Sequence, residues 1–266
     1  MRPNHLYVVL AYFMASLLWG ATVERDPSAP KGGWIYPSED ELKKVESAIP
    51  EKLPAEPRKD RKLLTYSLSH GFKHNSRLIG EEMLKRIERK TGAFTLTINN
   101  DSSQWTSAYL KQFDAIVVLN ATGLHNGFKG ENRQAFLNFV YEGGGLFGCH
   151  AATDGGKKWW PEYSKLWGGA FGGHPWGKTG TWRIQNYDPR HALNKCFHGE
   201  GFDINDELYR QIHPYRKGFF RTLTCIDLSA RQNTHNNNGK IKTVPPEAER
   251  KPGEPKPVNI PLNLER

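Results

Sequence analysis

Four histidines, His74, His125, His150 and His174, sit where the chain is expected to turn. Imidazole moves protons near neutral pH and, when neutral, ligates zinc-type cations. A group of them therefore serves either general acid–base chemistry or a metal. None lies in a tight ligand spacing such as His-Glu-x-x-His, so a metal reading depends on the fold gathering them. The densest chemistry is in Gly143–Asp154, Gly-Gly-Gly-Leu-Phe-Gly-Cys-His-Ala-Ala-Thr-Asp. A glycine run enters a short apolar segment that breaks at a thiol and an imidazole, then at a hydroxyl and a carboxylate. This pattern is that of a buried strand ending in a tight turn that carries polar groups. The alternative is an ordinary strand–loop with a buried Cys149 and a solvent-facing His150.

The elements that would position these residues follow from periodicity. Lys62–Ser67 reads as a first strand and Ile79–Thr91 as a helix ending at Gly92. Phe94–Ile98 alternates as a second strand, and Thr106–Lys111 is a short helix. Asp114–Asn120 is a continuous apolar run, the mark of a central parallel strand. Glu131–Glu142 is a helix, and the Gly143–Asp154 stretch supplies a fourth strand. Trp159–Leu166 is a further helix, and Trp182–Ile184 and Thr222–Leu228 are further strands. Strand–helix alternation of this kind predicts an α/β fold with a doubly wound, mainly parallel sheet and helices on both faces. The loops after strands one, three and four then gather at one sheet edge, where open α/β sheets bind ligands. They bring His74, Asn120, His125, His150 and Asp154 with them. That convergence favours a functional Gly143–Asp154 over the bland alternative.

Composition narrows the partners. The 266 residues carry a net charge of +9, are 37% hydrophobic and 12% aromatic, and can fill a core. The basic residues are spread along the chain with no groove motif, so nucleic acid is not an expected partner. Three cysteines, Cys149, Cys196 and Cys225, imply no disulfide framework. Residues 1–23 are a short basic start and a long apolar run, which reads as a signal peptide or an uncleaved N-terminal anchor. Export to a periplasmic or extracellular location is expected, with membrane contact only through that segment. Residues 24–61 form a Pro/Lys/Glu-rich linker with one short helix over Ser38–Ser47. There Ser38 is the N-cap and Glu41 completes a capping box. Residues 62–228 form the domain, and 229–266 a polar, proline-rich tail expected to be disordered.

Gly71-Phe72-Lys73-His74-Asn75-Ser76, Phe113–Val117, Gly143–Asp154, Gly168–Trp176 and Asp206-Glu207-Leu208-Tyr209 occur in one order. Together they resemble the ThuA-like (trehalose-utilisation) domain, of the class I glutamine amidotransferase-like superfamily. The resemblance implies a flavodoxin-like sheet, a small carbohydrate as partner and a role in carbohydrate utilisation. On the superfamily's Gly-x-Cys-x-Gly elbow, His150 falls on the nucleophile and Cys149 one place before it. Glutaminase activity is therefore not expected, and Cys149 reads as a small core hydrophobe. Family members continue beyond the position of Leu228 with another strand, so the C-terminal part of the fold reads as truncated.

On that reading His150, Asp154 and Glu207 are the catalytic candidates, for acid–base work on a sugar or keto-sugar. His74, Asn120, His125, Trp159, His174 and Trp176 are candidates for binding substrate. Trp105 and Trp160 are further indoles that a sugar ring could stack on. His74, His150 and His174 are the candidate ligands of a divalent metal such as zinc. A non-catalytic carbohydrate-binding module and a truncated inactive copy are the competing readings.

Overall fold

A computed structural model describes residues 35–234, apart from 52, 54, 56, 175, 177–179 and 213–219. The expected signal or anchor segment and residues 235–266 of the tail lie outside the described residues. Among the described residues no helix is long and apolar enough to cross a membrane. The span read as a single domain divides into two compact units. One runs to Phe171 and includes 220–221; the other holds the described residues from Gly172 to 212 and from Thr222 to 234.

The first unit opens with α1 (Glu39–Ala48), capped by the predicted box: Ser38 Oγ accepts from the Glu41 amide, and Glu41 accepts from the Ser38 amide. Val45 and Ile49 pack on Ile79, so this helix is docked and not part of a free spacer. Then come β1 (Lys62–Tyr66), α2 (Ser76–Thr91), β2 (Thr95–Ile98), α3 (Ser107–Leu110) and β3 (Ala115–Leu119). They are followed by α4 (Leu124–Gly127), α5 (Gly130–Tyr141), β4 (Gly145–Cys149), α6 (Pro161–Leu166) and β5 (Ala170–Phe171). Gly92 ends α2 with φ 61°, a left-handed cap that glycine adopts without steric cost.

β1 to β4 form one parallel sheet in the order β2-β1-β3-β4. Strand side chains alternate between faces, and here both faces are covered. Leu64, Tyr66, Ile116, Val118 and Leu146 join Phe136 and Val140 of α5 and Tyr163 of α6. Val117, Leu119 and Cys149 meet Leu84 of α2 on the opposite face. The architecture is the predicted flavodoxin-like one, and Cys149 is core, 7% exposed.

The second unit is built differently. β6 (Thr181–Asn186), β7 (Phe202–Asn205) and β9 (Thr224–Ile226) form an antiparallel sheet in the order β7-β6-β9; β8 (Gln211–Ile212), α7 (Arg231–Thr234) and a 3-10 helix over Ala192–Phe197 also belong to the unit. Order continues past Ser229, where the tail was expected to begin. Asn233, 1% exposed, accepts from the Arg183 amide (3.0 Å) and donates to the carbonyls of Arg183 (2.7 Å) and Asp227 (2.5 Å). Its amide side chain acts on β6 as a strand neighbour would.

Candidate functional site

The three loops at the carboxyl edge of the parallel sheet are stitched together by backbone and hydroxyl groups. The His70 amide donates to the Thr122 carbonyl (2.9 Å), and Ser69 Oγ bridges the Asn120 carbonyl and the Thr122 amide, both at 3.1 Å. Thr122 Oγ1 donates to the Phe72 carbonyl (3.0 Å), and the Gly123 amide to the Asp154 carbonyl (3.2 Å). Loop three thus ties loop one to loop four.

Two neighbouring strands end alike. Leu119 of β3 is in register with Cys149 of β4, and the next residues, Asn120 and His150, both have left-handed backbone, φ 49° and 45°. Such conformations cost a non-glycine residue free energy and recur at functional sites. Gly148 is required just before: a Cβ there would lie 2.4 Å from the Trp167 ring and 2.9 Å from Ala152 Cβ. The imidazole of His150 meets that of His74 edge to face at 4.9 Å between centroids, and Phe72 packs edge-on to His74 at 4.9 Å. Asn120, 2% exposed, donates from Nδ2 to Ser76 Oγ at 2.7 Å, at the start of α2. The loop convergence inferred from topology is therefore realised for His74, Asn120 and His150.

A second cluster lies on the same unit. The His125 ring stacks on Trp159 at 4.8 Å with 9° between planes, and its Nδ1 lies 3.1 Å from the Gly155 carbonyl. A carbonyl only accepts, so Nδ1 carries a proton. Nearby, the buried Tyr66 hydroxyl and Nε2 of His70 share a hydrogen bond at 2.7 Å; His70 is exposed as a residue, but its Nε2 is desolvated against Tyr66 and Gly127. Burial pushes the Tyr66 phenol up to about 12 and holds the His70 imidazole below its ordinary value. Asp154, a catalytic candidate, pairs with Lys157 at 2.8 Å.

The remaining candidates belong to the second unit. His174 Nδ1 is 2.9 Å from Glu207 Oε1, and its ring meets Tyr209 at 5.1 Å. Glu207, a catalytic candidate, is thus paired with His174 within this unit. Trp176 is half-buried and donates from Nε1 to the Asn233 carbonyl (3.1 Å). The indoles separate by burial. Trp105 and Trp160 are fully buried among Phe128 and Phe136 and offer no face to a sugar, whereas Trp159 is 53% exposed. Two residues at these clusters escaped sequence reasoning. Phe72, 70% exposed beside His74, is flagged only by its place in Gly-Phe-Lys-His. Arg133, which donates to the carbonyls of both His125 (2.9 Å) and Trp159 (3.1 Å), gives no local signal at all.

A solved structure described as ThuA-like, from Bacteroides uniformis ATCC 8492, is similar to this chain with a TM-score of 0.54 and 24% identity. The similarity covers 66% of this chain and 72% of that one, and it is a likeness of fold. No curated protein matches the chain. The sequence profile of the family ThuA, trehalose utilisation, matches residues 62–253, most of the chain and all of the sheet that carries His74, Asn120 and His150. By that match the chain belongs to the ThuA family.

Proposed function

We propose that this protein acts in carbohydrate utilisation outside the cytoplasm, as an acid–base or metal-assisted enzyme on a sugar or keto-sugar. The observation that carries the reading is the pair His74–His150, 4.9 Å apart at the carboxyl edge of a parallel sheet, with His150 on a left-handed turn. Two imidazoles at one point can relay a proton at neutral pH. They are also the donors zinc-class cations prefer; such an ion would polarise a carbonyl or acidify a water. The family's description, trehalose utilisation, supports a saccharide as substrate.

The test is a screen of disaccharides and 3-keto sugars for product, with and without added divalent metal. Turnover should fall at least about 100-fold in His150→Ala, with saccharide binding retained. Wild-type turnover in both His150→Ala and His74→Ala would overturn the assignment. Binding with no turnover of any saccharide would instead establish a carbohydrate-binding module. Elemental analysis separates the metal-assisted version from the proton-relay one, and mass spectrometry of the mature N-terminus tests export.

A further inference from the structure

Among the described indoles of the first unit, Trp105, Trp160 and Trp167 are buried and Trp159 is exposed, on a backbone that is firmly held. One guanidinium fixes it together with His125: Arg133 donates from Nη1 to the Trp159 carbonyl (3.1 Å) and from Nη2 to the His125 carbonyl (2.9 Å). The Trp159 amide donates to the Gly156 carbonyl (3.1 Å), and the His125 imidazole is oriented by Gly155. The two rings arrive from α4 and from a turn at Lys157–Trp159, yet they lie parallel within 9°. The backbone that carries the indole is clamped by these bonds, and the ring itself is held by its stack on His125. A rigid flat ring that remains 53% exposed is the surface on which the C–H face of a pyranose packs.

Two ammonium groups lie close to this ring pair. The exposed Lys158 ammonium lies 5.1 Å from the Trp159 ring centroid. Lys129 Nζ donates to the His125 carbonyl at 2.8 Å. Lys157 is answered by Asp154, but Lys158 and Lys129 face no carboxylate in any ion pair among the described residues. An exposed cation–π contact is weak enough for a sugar ring to displace, and the displaced ammonium then sits beside the bound ring.

We propose that Trp159, backed by His125 and flanked by Lys158, is a sugar-ring subsite for an anionic saccharide. The anion is a carboxylate or a sulfate. The inference rests on the carbohydrate reading above, and it adds a ligand class and a second locus distinct from His74–His150.

The test is calorimetric binding to the full chain at low salt. Three probes are compared: a glucuronate-containing disaccharide, a sulfated disaccharide and a neutral one. At least one acidic probe should bind about fivefold tighter than the neutral one, with the preference lost at high salt. Lys158→Gln should reduce the acidic probe to the neutral level. Trp159→Ala should weaken every probe about tenfold, and Trp159→Phe should recover much of that loss. The ring is exposed, so these variants should keep the wild-type circular dichroism and melt. Equal binding of acidic and neutral probes overturns the anion preference, and unchanged binding in Trp159→Ala overturns the platform. Failure of the catalytic reading looks different: turnover persists in His150→Ala and His74→Ala while binding still depends on Trp159. If the wild-type chain binds no saccharide, both readings fall.

Discussion

His150 holds left-handed backbone, φ 45°, on a residue with a Cβ. An L-residue there carries on the order of 1–2 kcal/mol of strain that glycine does not. Glycine also gives the unfolded chain more freedom, which offsets part of the gain. His150→Gly should therefore be more stable than His150→Ala by about 0.5–1 kcal/mol in denaturant unfolding, although both remove the imidazole. Equal stabilities would mean that the turn relaxes without strain. His70 makes a second prediction at this scale. Burial first, then the positive charges of His125 and Lys129, hold its imidazole below the ordinary 6.5. As pH falls, the unfolded chain takes up the proton before the folded one. The stability contributed by neutral His70 is full above 6.5 and is lost as pH drops through the lower folded value. Unfolding between about pH 8 and pH 5 should show wild-type stability falling more steeply than that of His70→Gln. Parallel pH profiles would remove His70 from the account.

Among the elements, β3 does most to set the site. Its five residues alternate between two covered faces, Ile116 and Val118 toward α5, Val117 and Leu119 toward α2. It also ends directly beneath Asn120. Ile116 is fully buried, so Ile116→Ala should cost about 2–5 kcal/mol, since a cavity is left against neighbouring rings and strands. Tyr141→Ala, at the exposed end of α5, should change stability by no more than about 0.5 kcal/mol. A difference of less than about 1 kcal/mol between the two would mean that the sheet repacks around the gap. The elements of the first unit were legible because each carries a local signature. These include the Ser38–Glu41 box, the Gly92 cap and the unbroken Ala-Ile-Val-Val-Leu run. The second unit was less legible. Phe202–Asn205 pairs antiparallel with Thr181–Ile184, yet no strand is predicted there from the sequence. Its register depends on a partner some twenty residues away.

At the scale of the whole molecule, the chain is a parallel α/β unit followed by a smaller antiparallel one. The second unit is held in part by an asparagine in what reads as tail. Asn233→Ala would leave the Arg183 amide without its partner, at a cost of about 1–3 kcal/mol, while the Arg183 carbonyl keeps the Asp227 amide (3.0 Å). Hydrogen exchange at the Arg183 amide should accelerate about tenfold or more. An unchanged rate would show that water replaces the side chain without loss.

The sequence by itself determined the parallel sheet, the convergence of its three polar loops and the place of His150 at a strand end. Those features come from local periodicity and turn chemistry, which neighbouring residues fix among themselves. Its reading of Cys149 as a small core residue also matches the structure. Only the tertiary structure decided which side chains face water and which meet. Trp159 and Trp160 are adjacent and identical in type. One is stacked on His125 at the surface, and the other is sealed against Phe136 and Tyr163. Burial depends on what the rest of the chain brings to that spot, and residue type does not encode it. The same holds for His74 against His150, Glu207 against His174, and the guanidinium of Arg133 joining two loops. Each is a contact between distant segments, and the sequence supplied the partners without the pairing.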